Sequence, residues 1–218
     1  MRIPGIAAVA AALLFAGTAV AEDRTCSGRG AGEAGTRDFV TVDFVVSDAG
    51  EIRSRKASWT PPATRGGMAD LTAGAPILVV NYRAPTAEGL GAPFNFTAFS
   101  MFFTRNAGFF DGALMVFAAG DRTWASQPMP RVTGNDDQGK TLMTMGSGIF
   151  EAALQPDLFA GLDSMGSVEL AMRRGRKVLK TSTYDLSNRA RRDAQFAQAW
   201  VAATEAAKTP AACKAADK

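Results

Sequence analysis

Along Phe39–Val46, the apolar residues Val40, Val42, Phe44 and Val46 fall on one side of an extended chain. Thr41 and Asp43 fall on the other side. This period of two, in a β-branched and aromatic run, predicts a strand with one buried face. Ser47-Asp48-Ala49-Gly50 is a turn signal, and Ile52 to Trp59 returns as the hairpin partner. Residues 60–74 hold Pro61, Pro62, Gly66, Gly67 and Gly74, so a long loop follows, with a helical turn near Met68 to Leu71. Pro76 to Tyr82 is the next strand, and the Gly- and Pro-rich run from Thr86 to Pro93 the next loop.

Phe94 to Thr104 is dense in phenylalanine, with apolar residues on both faces. That pattern predicts a central strand covered on both sides, and Ala113 to Ala119 reads similarly. Thr123 to Gln127, Thr141 to Met145 and Ile149 to Leu154 are weaker strand candidates. Pro156 to Leu162 fits one helical turn, with proline in the first-turn position it tolerates. Val168 to Met172 and Lys177 to Thr183 form a hairpin around Arg174-Gly175.

The period then changes. Residues 187–208 predict a helix, with Ser187 as its N-cap. Ala190, Ala194, Ala197 and Val201 recur at three- and four-residue steps and predict its buried face, flanked by Phe196 and Trp200. Arg189, Arg191 and Arg192 stand in the first turn, where the helix dipole disfavours cations. An acidic partner or solvent must offset them. The fold class is therefore mainly β, an antiparallel sandwich or open barrel with one C-terminal α-helix packed on it.

The start of the chain sets the compartment. Arg2 precedes an apolar run that ends in Ala19-Val20-Ala21, a small-x-small pattern fitting signal peptidase. Residues 1–21 read as a cleaved signal peptide, with cleavage after Ala21, and residues 22–218 as a single periplasmic domain. The run is too short, and too broken by Pro4, Gly5 and Gly17, for a membrane anchor. Cys26 and Cys213 are the only two cysteines, near the two ends of the mature chain. In an oxidising compartment they most simply form one disulfide, the alternatives being free thiols or an intermolecular bridge.

The chain holds no histidine. That excludes the Ser-His-Asp triad, the Cys-His pair and His-bound zinc. No serine has a lysine three positions on, and no Gly-x-Ser-x-Gly elbow occurs. Carboxylate chemistry survives, since Asp and Glu together number 21. A formal charge of +3 is too small to imply nucleic acid. It remains compatible with an anionic partner such as a lipid surface.

Gly134-Asn135-Asp136-Asp137-Gln138-Gly139-Lys140-Thr141 matches the phosphate-loop pattern letter for letter. A working phosphate loop follows a buried strand and opens a helix. Here Pro128 and Pro130 precede it, and a Gly-containing extended run follows. The segment therefore reads as an acidic turn between strands, with too few well-spaced oxygen ligands for calcium. No nucleotide and no cofactor or metal is expected.

Two surfaces remain as candidates. Phe94, Phe96, Phe99, Phe102 and Phe117 are either core or the wall of a cavity for an apolar or lipid-like ligand. Arg173, Arg174, Arg176, Lys177 and Lys180 are either a solvated hairpin edge or an anionic contact. The hairpin ending in Thr183-Tyr184-Asp185-Leu186-Ser187, followed by the Ala-rich helix, resembles the invasion-associated locus B type of small exported bacterial proteins. The resemblance implies a periplasmic, mainly β, non-enzymatic protein linked to the envelope or host contact, and carries no catalytic residues. The expected function is thus binding or interaction in the cell envelope, with an envelope protein or lipid as partner. The alternatives are a carrier for an apolar ligand and a carboxylate-based envelope hydrolase.

Overall fold

The computed structural model describes residues 23–32, 37–102, 110–129, 131–135 and 141–215. The expected signal peptide lies outside the described residues. Among the described residues, thirteen strands form two antiparallel sheets. They are β1 Arg24–Ala31, β2 Phe39–Val46, β3 Ile52–Thr60, β4 Ala63–Arg65, β5 Ile77–Arg83, β6 Pro93–Phe102 and β7 Leu114–Ala119. β8 Arg122–Ala125, β9 Arg131–Asn135, β10 Thr141–Glu151, β11 Ser167–Arg174, β12 Lys177–Asp185 and β13 Lys214–Ala215 follow. Helix α1 is Pro156–Ala160 and helix α2 is Arg189–Ala207. The large sheet runs β13-β1-β2-β3-β5-β6-β10-β9, and the small one β4-β12-β11-β7-β8. The architecture is a β-sandwich whose large sheet extends beyond the small one, with α2 covering the overhang.

Register explains which side chains meet. Cys26, Gly28 and Gly30 on β1 lie opposite Phe44, Val42 and Val40 on β2, so all share the inner face. That face continues through Ala57 and Trp59, Tyr82 and Val80, then Phe96 and Phe150. On the small sheet Phe117 stands opposite Leu170, and Met115 opposite Met172. The sheets meet where Phe96 stacks on Phe117 at 5.4 Å between ring centroids and Phe150 on Phe117 at 6.2 Å. The outer face of β6 is only partly covered, contrary to the two-sided burial expected from its phenylalanines. An antiparallel sheet needs one dry face only, and Asn81, Asn95 and Thr97 join side chains on the outer one.

The N-terminal stretch Arg-Thr-Cys-Ser-Gly-Arg-Gly-Ala lacks a strand pattern, yet forms β1. Its glycines explain why. A Cβ on Gly28 would lie 2.0 Å from the Ala199 carbonyl oxygen, and one on Gly30 1.8 Å from that of Gln195. Helix α2 therefore rests directly on the β1 backbone. Buried Gln195, Phe196, Ala199 and Ala203 form its contact face. The expected face of Ala190, Ala194, Ala197 and Val201 is exposed instead. Spacing alone could not choose between two Ala-containing stripes; the glycine pair on β1 does. The cap also shifts by one residue. Asn188 Oδ1 accepts from the Arg191 N–H at 3.1 Å, while the Ser187 hydroxyl donates to Asp185 Oδ1 at 2.6 Å.

Both ends of this contact are fastened. Cys26 and Cys213 form a disulfide across a sequence separation of 187. At the other end Asp38, with a side chain 1% exposed, accepts from Arg191 Nη2 at 2.7 Å and from Gln195 Nε2 at 2.6 Å. The first-turn cations thus find their acidic partners: Asp38 for Arg191, and Asp163 and Asp193 for Arg192.

Gly28→Ala or Gly30→Ala should each cost about 2 kcal/mol or more, because a methyl there meets helix backbone. Gly166→Ala, which meets nothing within 4 Å, should be close to neutral. Urea denaturation of the three variants checks this; equal midpoints would contradict the contact. Reduction or Cys26→Ser should remove up to about 5 kcal/mol on loop-entropy grounds, seen as a lower melting temperature and a mobility shift on non-reducing gels.

Candidate functional site

Where α2 begins, it passes over the loop joining β5 to β6 and leaves a cleft of about 280 Å³. The loop is held in shape locally. The Thr86 N–H donates to the Gly89 carbonyl at 3.0 Å and the Gly89 N–H returns to that of Thr86 at 3.2 Å. Gly91, at φ 77°, then turns the chain back toward Pro93. Leu90 and Pro93 from the loop, with Phe196 and Ala197 from α2, form the apolar wall.

The polar lining comes from three directions. Tyr82 projects from the inner face of β5 and is 2% exposed. Its hydroxyl has no hydrogen-bond partner. Trp59, diagonal to it on β3 and outside the lining itself, has an equally unpartnered buried Nε1–H. Arg192 reaches back from α2 to set its guanidinium 5.5 Å from the Trp59 ring centroid. Its Nε donates to Asp193 at 3.0 Å and its Nη1 to Asp163 at 3.4 Å. Glu88 stands at the tip of the loop.

Burial pushes the Tyr82 hydroxyl up to about 12, with the nearby Arg192 charge pulling partly the other way. The guanidinium lies against that hydroxyl, which lowers its proton affinity somewhat, but without a hydrogen bond of normal geometry. Tyr82 therefore stays protonated and can donate at any physiological pH. The Glu88 carboxyl is held below its usual range, first by the Thr86 hydroxyl and then by its own backbone N–H. One guanidinium faces the carboxylates of Glu88, Asp163 and Asp193, so the cleft carries net negative charge.

A second cleft of about 180 Å³, beside Pro61, Pro62 and Met68, provides a control. Its Tyr184 is also buried, and burial again pushes the hydroxyl up to about 12. This hydroxyl is fully engaged, donating to the Pro76 carbonyl at 2.6 Å and accepting from the Leu78 N–H at 3.1 Å. Tyr184 is a structural pin; Tyr82 is a polar group left open.

The residues singled out from sequence are placed elsewhere. Phe96 and Phe117 are fully buried against one another. Phe99 points to the opposite face from Phe96, and Phe94 lies under the Arg83 guanidinium at 4.3 Å. The Phe102 side chain falls outside the described residues. The described clefts are lined by other residues. Arg173, Arg174, Arg176, Lys177 and Lys180 sit at the tip of the β11–β12 hairpin, with Gly175 at φ 56° making the turn. Asn135 and Thr141, within the phosphate-loop match, pair with each other across antiparallel β9 and β10. A strand follows where a phosphate loop needs a helix; residues 136–140 lie outside the described ones. Among the described residues no cluster of metal-ligating side chains occurs, and no helix is long and apolar enough to cross a membrane.

Neither Tyr82 nor Arg192 stands out in sequence as a site residue. The one signal was the set of first-turn cations Arg189, Arg191 and Arg192, which called for an acidic partner or solvent to offset them. Comparison with protein-family models, with curated proteins and with solved structures returned no match.

Tyr82→Phe should leave stability unchanged or slightly raised at neutral pH, because the lost hydroxyl makes no bond. Tyr184→Phe should cost about 1 to 3 kcal/mol. The alkaline limb supplies the second test. An unfolded tyrosine titrates near 10 and these near 12, so the folded state keeps its protons longer. Their stabilisation is complete below pH 10 and lost as pH rises toward 12, by at most about 3 kcal/mol each. Denaturation midpoints between pH 8 and 12 should fall less steeply in either Phe variant.

Proposed function

We propose that this protein is a non-enzymatic binding protein of the bacterial cell envelope, exported to the periplasm, which holds a small polar ligand in the cleft between the β5–β6 loop and α2. The carrying observation is the polar lining of that cleft, where Tyr82, with its hydroxyl buried and unpartnered, stands beside the Arg192 guanidinium and the carboxylates of Glu88, Asp163 and Asp193. A buried polar group without a partner costs about 1 to 3 kcal/mol. A ligand that displaces the lining enough to reach the hydroxyl and supplies the partner recovers that cost on binding.

The compartment reading is supported by the leader pattern of residues 1–21 and by a disulfide that suits an oxidising environment. The envelope role is also what the resemblance of the C-terminal hairpin and helix implies. Binding is favoured over carboxylate hydrolysis by the state of the cleft acids. Asp163 and Asp193 have side chains 67% and 60% exposed and both contact the Arg192 guanidinium. A general acid at neutral pH needs a carboxyl in an apolar pocket. A small polar ligand is favoured over a lipid because the two most buried candidate rings, Phe96 and Phe117, fill the core against each other.

Backbone ¹H–¹⁵N spectra of the mature chain, recorded with a collection of small polar fragments at millimolar concentration, test the reading. Fragment-induced shifts should cluster at Tyr82, Glu88, Gly89, Gly91, Arg192 and Phe196. Their absence, or a cluster elsewhere on the surface, would remove the cleft from consideration.

A further inference from the structure

We infer that the tip of the β11–β12 hairpin is a docking surface for an anionic lipid membrane. This surface is separate from the cleft, and its role does not depend on a ligand there.

Between Glu169 and Asp185 the chain has no acidic residue, yet it carries Arg173, Arg174, Arg176, Lys177 and Lys180. The fold gathers these cations at one end of the small sheet. β7 pairs with β11 no further than Leu114 opposite Arg173, so Arg174 to Lys177 stand beyond the end of that neighbour. On the other side β4 meets β12 only at Thr183 and Tyr184. Gly175, at φ 56°, closes the turn. Arg174, Arg176 and Lys177 are exposed, and Val178 beside them is 46% exposed.

Other exposed cations of the molecule are matched: Arg53 with Asp23, Arg122 with Asp157 and Lys208 with Glu205. Arg176, Lys177 and Lys180 take part in no ion pair among the described residues. Edge protection does not account for them. A β-bulge and a charge are alternative ways to keep a strand edge from pairing, and β12 already has the bulge. Lys180 stands opposite Met172 and Val178 opposite Arg173, which leaves Leu179 as the extra residue. Leu179 packs on the core and pins the hairpin, while Val178 remains outside.

The five positive charges of the tip exceed the net +3 of the whole chain, so the remainder is net negative. An anionic surface therefore attracts the tip and repels the rest on balance. The described clefts are lined by other residues, so the tip offers a projecting turn to a surface and no pocket to a small anion. A lipid surface fits better than an acidic protein strand. The bulge interrupts the edge on which such a strand would add, and Val178 can enter the headgroup boundary while the cations meet lipid phosphates. The contact is peripheral, since among the described residues no helix is long and apolar enough to cross a membrane.

Cosedimentation of the mature, oxidised chain with vesicles tests the inference. Vesicles of phosphatidylcholine with about 30% phosphatidylglycerol should bind it in about 0.1 M salt and release it in about 0.5 M, whereas phosphatidylcholine alone should not bind it. Each cation at an anionic surface contributes about fivefold in partitioning, so Arg176→Gln with Lys177→Gln, at unchanged melting temperature, should weaken binding by about tenfold or more. Lys56→Gln with Lys214→Gln removes the same charge from the large sheet. That pair should weaken binding by less than about threefold, because the screening length in this salt is about 10 Å. No preference for the anionic vesicles, or equal weakening by the two pairs, overturns the inference. Polyglutamate that binds through Arg176 and Lys177 while the vesicles do not would also overturn it, and would assign the tip to an acidic protein.

Discussion

A helix lying on bare strand backbone organises this molecule. Gly28 and Gly30 open the inner face of β1, and the Gln195 and Ala199 carbonyls of α2 enter the space that side chains would fill. Such a contact fixes rotation as well as distance. Turning α2 by one residue would bring a different carbonyl row onto β1 and pull Gln195 away from Asp38. The buried Asp38 acts here as a register device. Its charge is costly to bury alone, and only one phase of the helix brings both Arg191 and Gln195 to it.

That phase has a consequence two strands away. With Arg191 committed to Asp38, the next residue, Arg192, points over Trp59 toward Tyr82. The cleft is thus a by-product of the way α2 is docked, bounded on one side by a helix that cannot rotate. Its other side is the Thr86–Gly89 turn, which is tied only to itself and is free of the disulfide and of Asp38. A rigid floor and a locally stable rim suit a site whose polar groups are placed before a ligand arrives. The two buried tyrosines, one on each sheet, make the same point by contrast. Tyr184 spends its hydroxyl on the backbone of Pro76 and Leu78, and Tyr82 spends its own on nothing.

Much of the β framework was legible in the chain because β2, β5, β11 and β12 carry their own alternation and turn signals. Phe39–Val46 and the Arg174-Gly175 turn needed no tertiary information. The failures share a cause. β1 is held in its sheet by what α2 requires, and its glycines look like loop when read alone. β9 and β10 are joined by pairing across a segment whose letters imitate a nucleotide motif. The face of α2 was misassigned because alanine at positions 190, 194 and 197 satisfies a helical period as well as alanine at 199 and 203. The site was invisible for a related reason. Tyr82 resembles any strand tyrosine, and its lack of a partner is a property of the space around it.

The absence of histidine, first a limit on chemistry, also shapes how such a site would behave. Histidine is the side chain whose ordinary range spans neutrality, and both cysteines here are locked in the disulfide. The cleft groups with displaced proton affinities are all displaced away from neutrality, Tyr82 and Arg192 upward and Glu88 downward. None of these side chains changes charge near neutral pH. Recognition at the cleft would therefore depend on fixed charges, with selectivity set by the ligand's own charge and by ionic strength, which screens the exposed carboxylates at the rim. The negative surplus at Asp163, Asp193 and Glu88 is thus a fixed property of the cleft, set by the docking of α2 and the β5–β6 loop.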